Sequence, residues 1–132
     1  MKGLAPISTV VSGKLSSESP KYKKIAKEWE GTGWRVTKSS SQPGLIKRLK
    51  WSHAADRLKY DLLPEANKLT MPVLMIVGEQ DDSTILEHQK ILYEKLAGKK
   101  ELHVILGAPH TFVDPEHLQK LKEIFDQWIK KI

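Results

Sequence analysis

With 132 residues and no cysteine, the chain is sized for one domain with a real core and excludes a disulfide framework and thiolate chemistry. No run approaches the ~18 apolar residues of a membrane-spanning helix. No apolar core or cleavage pattern follows Met1–Pro6, so neither a membrane span nor a signal peptide is expected, and the lack of cysteine fits the cytoplasm. The net charge of +6 is lopsided. Residues 1–61 hold 13 Lys and Arg against 5 Asp and Glu, and residues 62–132 hold 9 against 11. Lysine pairs such as Lys23-Lys24 read as a solvated face. Without an arginine cluster or stacking aromatics, no nucleic-acid partner is expected.

In chain order, Gly3–Val11 has β-formers in Ile7, Val10 and Val11, but Pro6 cannot donate to a ladder, so the strand should end near it. Residues 12–19 read as a polar loop. Ser19-Pro20 is an N-cap with proline at the first helical position, and a helix should run to about Glu30 before Gly31-Thr32-Gly33 breaks it. Ser39 to Gly44 is a second breaker cluster. From Leu45 to Asp61, the apolar positions Leu45, Leu49, Ala55, Leu58 and Leu62 suggest one or two short helices. Pro72–Val77 is apolar throughout, as in a parallel strand buried on both faces. Thr84-Ile85-Leu86-Glu87 has the form of a capping box, opening a helix to Ala97 that stops at Gly98. Leu102–Leu106 is the next strand. Asp114-Pro115 opens a last helix, with Leu118, Leu121, Phe125, Trp128, Ile129 and Ile132 as its apolar stripe. The expected organisation is one α/β domain: a first strand in 1–11, a helical insertion over 12–66, and a βαβα core over 67–132.

Two residues on successive strands stand out. In open α/β sheets, sites gather at the carboxyl ends of the strands. Asp81 follows one strand and His110 the next, 29 residues later, so the fold can bring them together. A carboxylate that accepts from one imidazole nitrogen fixes the tautomer and leaves the other nitrogen as a base. Asp82 is the competing acid, although with Ser83 it reads as loop chemistry near a helix start. Glu79 reads as a solvated strand-end acid. His53, His88 and His103 read as structural or exposed. His110, Asp114 and His117 include metal-ligating residue types, but Pro115 intervenes and no open coordination motif is present, so no metal is expected. No cofactor motif is present either.

Pro72–Asp81 resembles the acid-bearing strand and loop of the α/β-hydrolases, and Gly107-Ala108-Pro109-His110-Thr111-Phe112 is similar to their histidine loop. Tyr60-Asp61-Leu62-Leu63 resembles the point where the cap rejoins the core in esterase, monoacylglycerol-lipase and serine-aminopeptidase-like members. The resemblance is strong over residues 56–132 and looser before them. It implies a partial α/β-hydrolase fold: about three parallel strands, the family's sixth to eighth, with flanking helices and a helical cap. It also implies Asp81 as triad acid, by its spacing from Gly78, and His110 as general base. The family's G-x-S-x-G nucleophile elbow does not occur in this sequence, and its oxyanion-hole loop is also missing. Both would lie upstream of Met1.

The chain therefore reads as the C-terminal portion of a serine hydrolase acting on ester, thioester or amide carbonyls, inactive alone. Trp29, Trp34 and Trp51 are candidates to line a small-molecule site under the cap, or else to form the cap's own core. The alternative is a non-catalytic scaffold. Its first strand would offer an unpaired edge to a second copy or to a complementing chain.

Overall fold

The computed structural model describes residues 2–39 and 42–132; Ser40 and Ser41 of the second breaker cluster lie outside the described residues. The chain divides into two compact units, residues 12–61 and residues 1–11 with 62–132.

In the 12–61 unit, the segment read as a polar loop opens with a short helix, α1 (Gly13–Glu18). Ser12 supplies the reason: its hydroxyl accepts from the Leu15 backbone N–H at 3.4 Å. Helix α2 (Pro20–Thr32) starts as expected, with the Ser19 side chain accepting from Tyr22 N–H and Pro20 at the first position. It ends at Gly33. Two antiparallel strands follow, β1 (Trp34–Lys38) and β2 (Ile46–Lys50), and then α3 (Trp51–Arg57). This corrects the expectation of helix from Leu45 onward, so the insertion is mixed rather than helical. Leu45 and Leu49 have helical spacing, and Ile46-Lys47-Arg48-Leu49-Lys50 shows no period-2 alternation against it. A partner strand decides it, since Trp34 to Lys38 pair residue by residue with Lys50 to Ile46.

The other unit holds β3 (Val73–Gly78), α4 (Leu86–Lys95), β4 (Lys100–Ile105) and α5 (Pro115–Ile129), with a short 3-10 turn at Ala66–Lys68. Strands β3 and β4 run parallel, Val73 opposite Lys100 through Gly78 opposite Ile105. The third row, along the other side of β3, is reduced to isolated parallel bridges from Leu4 to Val73 and Ile7 to Ile76. Pro6 accounts for this: its carbonyl accepts from Ile76 N–H, but it has no N–H to extend the ladder.

Strand β3 is central and buried at every position, which explains its unbroken apolar run. Its side chains alternate between two cores. Val73 and Met75 join Val11, Ala66, Leu92 of α4 and Leu96 just beyond its end. Leu74 and Ile76 join Ile105, Ala108 and the α5 residues Ile124 and Trp128. The α5 stripe is therefore Leu121, Ile124, Phe125 and Trp128. Leu118, Ile129 and Ile132, expected on it, are exposed. Helix α4 begins one residue later than the capping-box reading puts it, with no side-chain cap, and it ends at Lys95, short of Gly98.

Candidate active site

Strand β3 ends at Gly78, and the backbone turns at once. Asp81 N–H donates to Gly78 O at 3.2 Å, which brings the Asp81 side chain under the strand end. Strand β4 ends at Ile105 and its loop doubles back against the first: Glu79 N–H donates to Ile105 O, and Gln80 N–H to Ala108 O at 2.9 Å. The approach is close enough to require glycine. A Cβ on Gly78 would sit 2.2 Å from Ala108 O. Gly107 takes the left-handed conformation, φ +68°, and its N–H donates to Glu79 Oε2 at 2.9 Å. Glu79 is exposed but is not simply solvated as expected; it holds the turn that delivers the histidine.

These two loops bring Asp81 and His110 together, with His110 Nδ1 2.9 Å from Asp81 Oδ2. The Asp81 side chain is fully buried, whereas the His110 side chain is 44% exposed. Every other contact of the carboxylate is with its own loop. Oδ1 accepts from Ser83 N–H at 2.9 Å and Thr84 N–H at 2.8 Å. Oδ2 accepts from the Thr84 hydroxyl at 2.7 Å. Burial alone would raise the Asp81 pKa, but the Thr84 hydroxyl, Thr84 N–H, His110 and Ser83 N–H together outweigh it. The carboxyl is held far below the usual carboxylate range. An ionised carboxylate can only accept, so Nδ1 is the donor and Nε2 of a neutral His110 carries the free lone pair.

Thr84 is the residue that the sequence reading misplaced. Its hydroxyl does not cap α4; it donates to Asp81 and lies 3.4 Å from His110 Nδ1. Gln89 on α4, 1% exposed, steadies the same loop by donating to Thr84 O and, at 2.7 Å, to Thr9 O. A buried glutamine at that position is the signal that could have flagged this.

The competing residues sort out geometrically. Asp82 is exposed and accepts from the Ser83 hydroxyl. Asp114 caps α5 by accepting from Glu116 N–H, and among the described residues no cluster of His, Cys, Asp and Glu could hold a metal. His103 faces Glu101 at 3.0 Å. Of the tryptophans in the 12–61 unit, Trp29 is buried and packs edge-on against Trp51 at 5.6 Å, while Trp34 is exposed.

The sequence and the fold have counterparts in known proteins. The sequence matches the PhoPQ-activated pathogenicity-related protein family over residues 36–132. The chain belongs to that family. Its fold is that of the α/β-hydrolases. It is similar to the monoacylglycerol lipase of Paleococcus ferrophilus, with a TM-score of 0.70 and 21% identity over 97% of this chain and 58% of that one. It is similar to α/β-hydrolase domain-containing protein 10 from mouse, with a TM-score of 0.69 and 19% identity over 98% and 52%. It is also similar to Est1E from Butyrivibrio proteoclasticus with ferulic acid bound, with a TM-score of 0.68 and 17% identity over 99% and 49%. The chain thus spans about half the length of these structures. No curated protein matches it. Among the described residues, no helix is long and apolar enough to cross a membrane.

Proposed function

We propose that this chain supplies the acid and the base of a serine-hydrolase triad, with Asp81 orienting His110. The observation that carries this is the 2.9 Å contact from Nδ1 to the buried, four-fold hydrogen-bonded carboxylate. It leaves Nε2 of a half-exposed imidazole as the free base. In the complete enzyme, His110 takes the proton of a serine hydroxyl as that oxygen attacks an ester, thioester or amide carbonyl. It then returns the proton to the leaving group, while Asp81 stabilises the imidazolium in between. The serine and the oxyanion donors belong to a segment outside this sequence, since no G-x-S-x-G occurs in it. The reading needs no metal or cofactor. That the neighbours named above include a monoacylglycerol lipase supports a small carboxylic ester as substrate.

A polypeptide carrying the missing elbow, joined to or mixed with this chain, should turn over a short-chain nitrophenyl ester, and His110→Ala should abolish that turnover. This chain alone should not. Turnover that survives His110→Ala would show that the base lies elsewhere.

The non-catalytic alternative rests on a different observation. Leu4 N–H and C=O, Pro6 C=O and Ser8 N–H all bond toward β3 and its lead-in, which turns the intervening residues to the other edge, and Ile7 is 37% exposed there. A strand from a second copy or a complementing chain could pair with that edge. This reading predicts a stable oligomer of the chain alone in sedimentation; a monomer that melts cooperatively sinks it.

A further inference from the structure

The β1–β2 hairpin carries an open face for which the acid–histidine chemistry has no use. Directly opposed residues of an antiparallel pair project to the same side. The register sets Trp34 opposite Lys50, Val36 opposite Arg48 and Ile46 opposite Lys38. Each pair joins one apolar side chain to one cation. Trp34, Val36 and Ile46 are 45%, 56% and 49% exposed. Lys50 Nζ lies 5.4 Å over the Trp34 ring. The opposite face is partly covered within the unit: Arg35 lies 5.8 Å over the Trp29 ring, and Trp29 Nε1–H donates to Leu49 O at 3.0 Å. A two-stranded hairpin with one face bare is marginal in water, and its apolar side chains need a cover.

Charge says what the cover is. The 12–61 unit holds 12 Lys and Arg against 5 Asp and Glu, and the rest of the chain 10 against 11. The positive excess thus sits in the unit that carries this face. A depression of ≈ 540 Å³ there is lined by Glu28, Thr32, Trp34, Val36 and Arg48, of which Glu28 is the one acid. We propose that this face docks on an anionic lipid surface. Trp34, Val36 and Ile46 enter the boundary between headgroups and acyl chains, while Lys38, Arg48 and Lys50 meet lipid phosphates. Nucleic acid is the other common polyanion. Sequence-tolerant nucleic-acid grooves work through stacked aromatics. Here one aromatic stands with two aliphatic side chains, which gain by entering hydrocarbon and gain little from a base.

The test is co-sedimentation of the chain with vesicles of phosphatidylcholine, with and without phosphatidylglycerol. Binding is expected only with the anionic lipid, and is expected to weaken with salt. Each basic residue removed near the surface weakens partitioning about five-fold. Lys38→Gln, Arg48→Gln and Lys50→Gln together should therefore lower it on the order of a hundred-fold. Lys90→Gln, Lys95→Gln and Lys130→Gln remove as much charge from the other unit and should change it far less. Val36→Ser with Ile46→Ser should also weaken binding, with the melt of each variant confirming that it folds. Brominated lipid should quench the bound protein's fluorescence, and Trp34→Phe should remove most of that quenching. The proposal is overturned by no binding to anionic vesicles, by equal losses in the two charge variants, or by quenching unchanged in Trp34→Phe. It is equally overturned by binding to a single-stranded oligonucleotide without binding to vesicles.

Discussion

Replacing Thr84 by valine exchanges one hydroxyl for a methyl group at nearly constant volume. The hydroxyl donates to Asp81 Oδ2 at 2.7 Å, and the carboxylate it serves is fully buried. A hydrogen bond to a charged, buried group contributes about 1.5–3 kcal/mol, so Thr84→Val should destabilise the fold by about 2 kcal/mol at neutral pH. The loss should depend on pH in a definite direction. Burial raises the Asp81 pKa, the hydrogen bonds overcome this, and the folded value lies below the unfolded one. Such a group stabilises the fold fully above its unfolded value of about 3.9, and the contribution fades as pH falls from there toward the folded value. Valine removes one of the bonds that depress the folded value. The stability gap between wild type and Thr84→Val should therefore be widest near neutrality and narrow below about pH 4. Urea unfolding across a pH series measures this, and Thr84→Ser, which keeps the hydroxyl, should retain the wild-type slope. If the valine variant runs parallel to wild type from neutral to acid pH, the hydroxyl does not hold the carboxylate.

Gly78→Ala places a Cβ 2.2 Å from Ala108 O, which must move because it is backbone; a loss of about 3 kcal/mol or more is expected in thermal or urea melts. Ile124→Ala opens a cavity between β3 and α5 and should lose about 2–5 kcal/mol, whereas Ile129→Ala, at an exposed position, should stay within about 0.5 kcal/mol. Glu79→Ala removes the acceptor of Gly107 N–H, with an expected loss of about 0.5–1.5 kcal/mol and a displaced His110 ring resonance in NMR; Glu79→Gln keeps an oxygen there and should spare both.

The sequence was most readable where one energetic term dominates. The unbroken apolar run of β3 could only be a strand buried on both faces, and it is. Asp114-Pro115 and Ser19-Pro20 start α5 and α2 by side-chain caps that need no tertiary partner. It was least readable where a distant partner decides. Ile46–Lys50 is a strand because Trp34–Lys38 lies beside it, and neither spacing nor propensity says so. The α5 stripe was shifted because a broad apolar helix shows several apolar rows, and only the position of β3 selects the row through Ile124.

The same division runs through the site. Asp81 and His110 were legible because each follows a strand end, and parallel strands joined by one helix deliver their carboxyl ends to one edge. Thr84 was not. Its spacing to Glu87 satisfies the capping-box pattern, and that pattern says nothing of a carboxylate three residues upstream. Two uses compete for one hydroxyl: an N–H of the first helical turn, which water can also serve, or a buried anion, which water cannot reach. Leaving the buried anion short of a donor costs more than leaving the helix end to solvent. The anion takes the hydroxyl, and α4 starts later, without a side-chain cap. The displaced helix start is thus a consequence of the acid, and reading Asp81 as a buried carboxylate would have been enough to predict it.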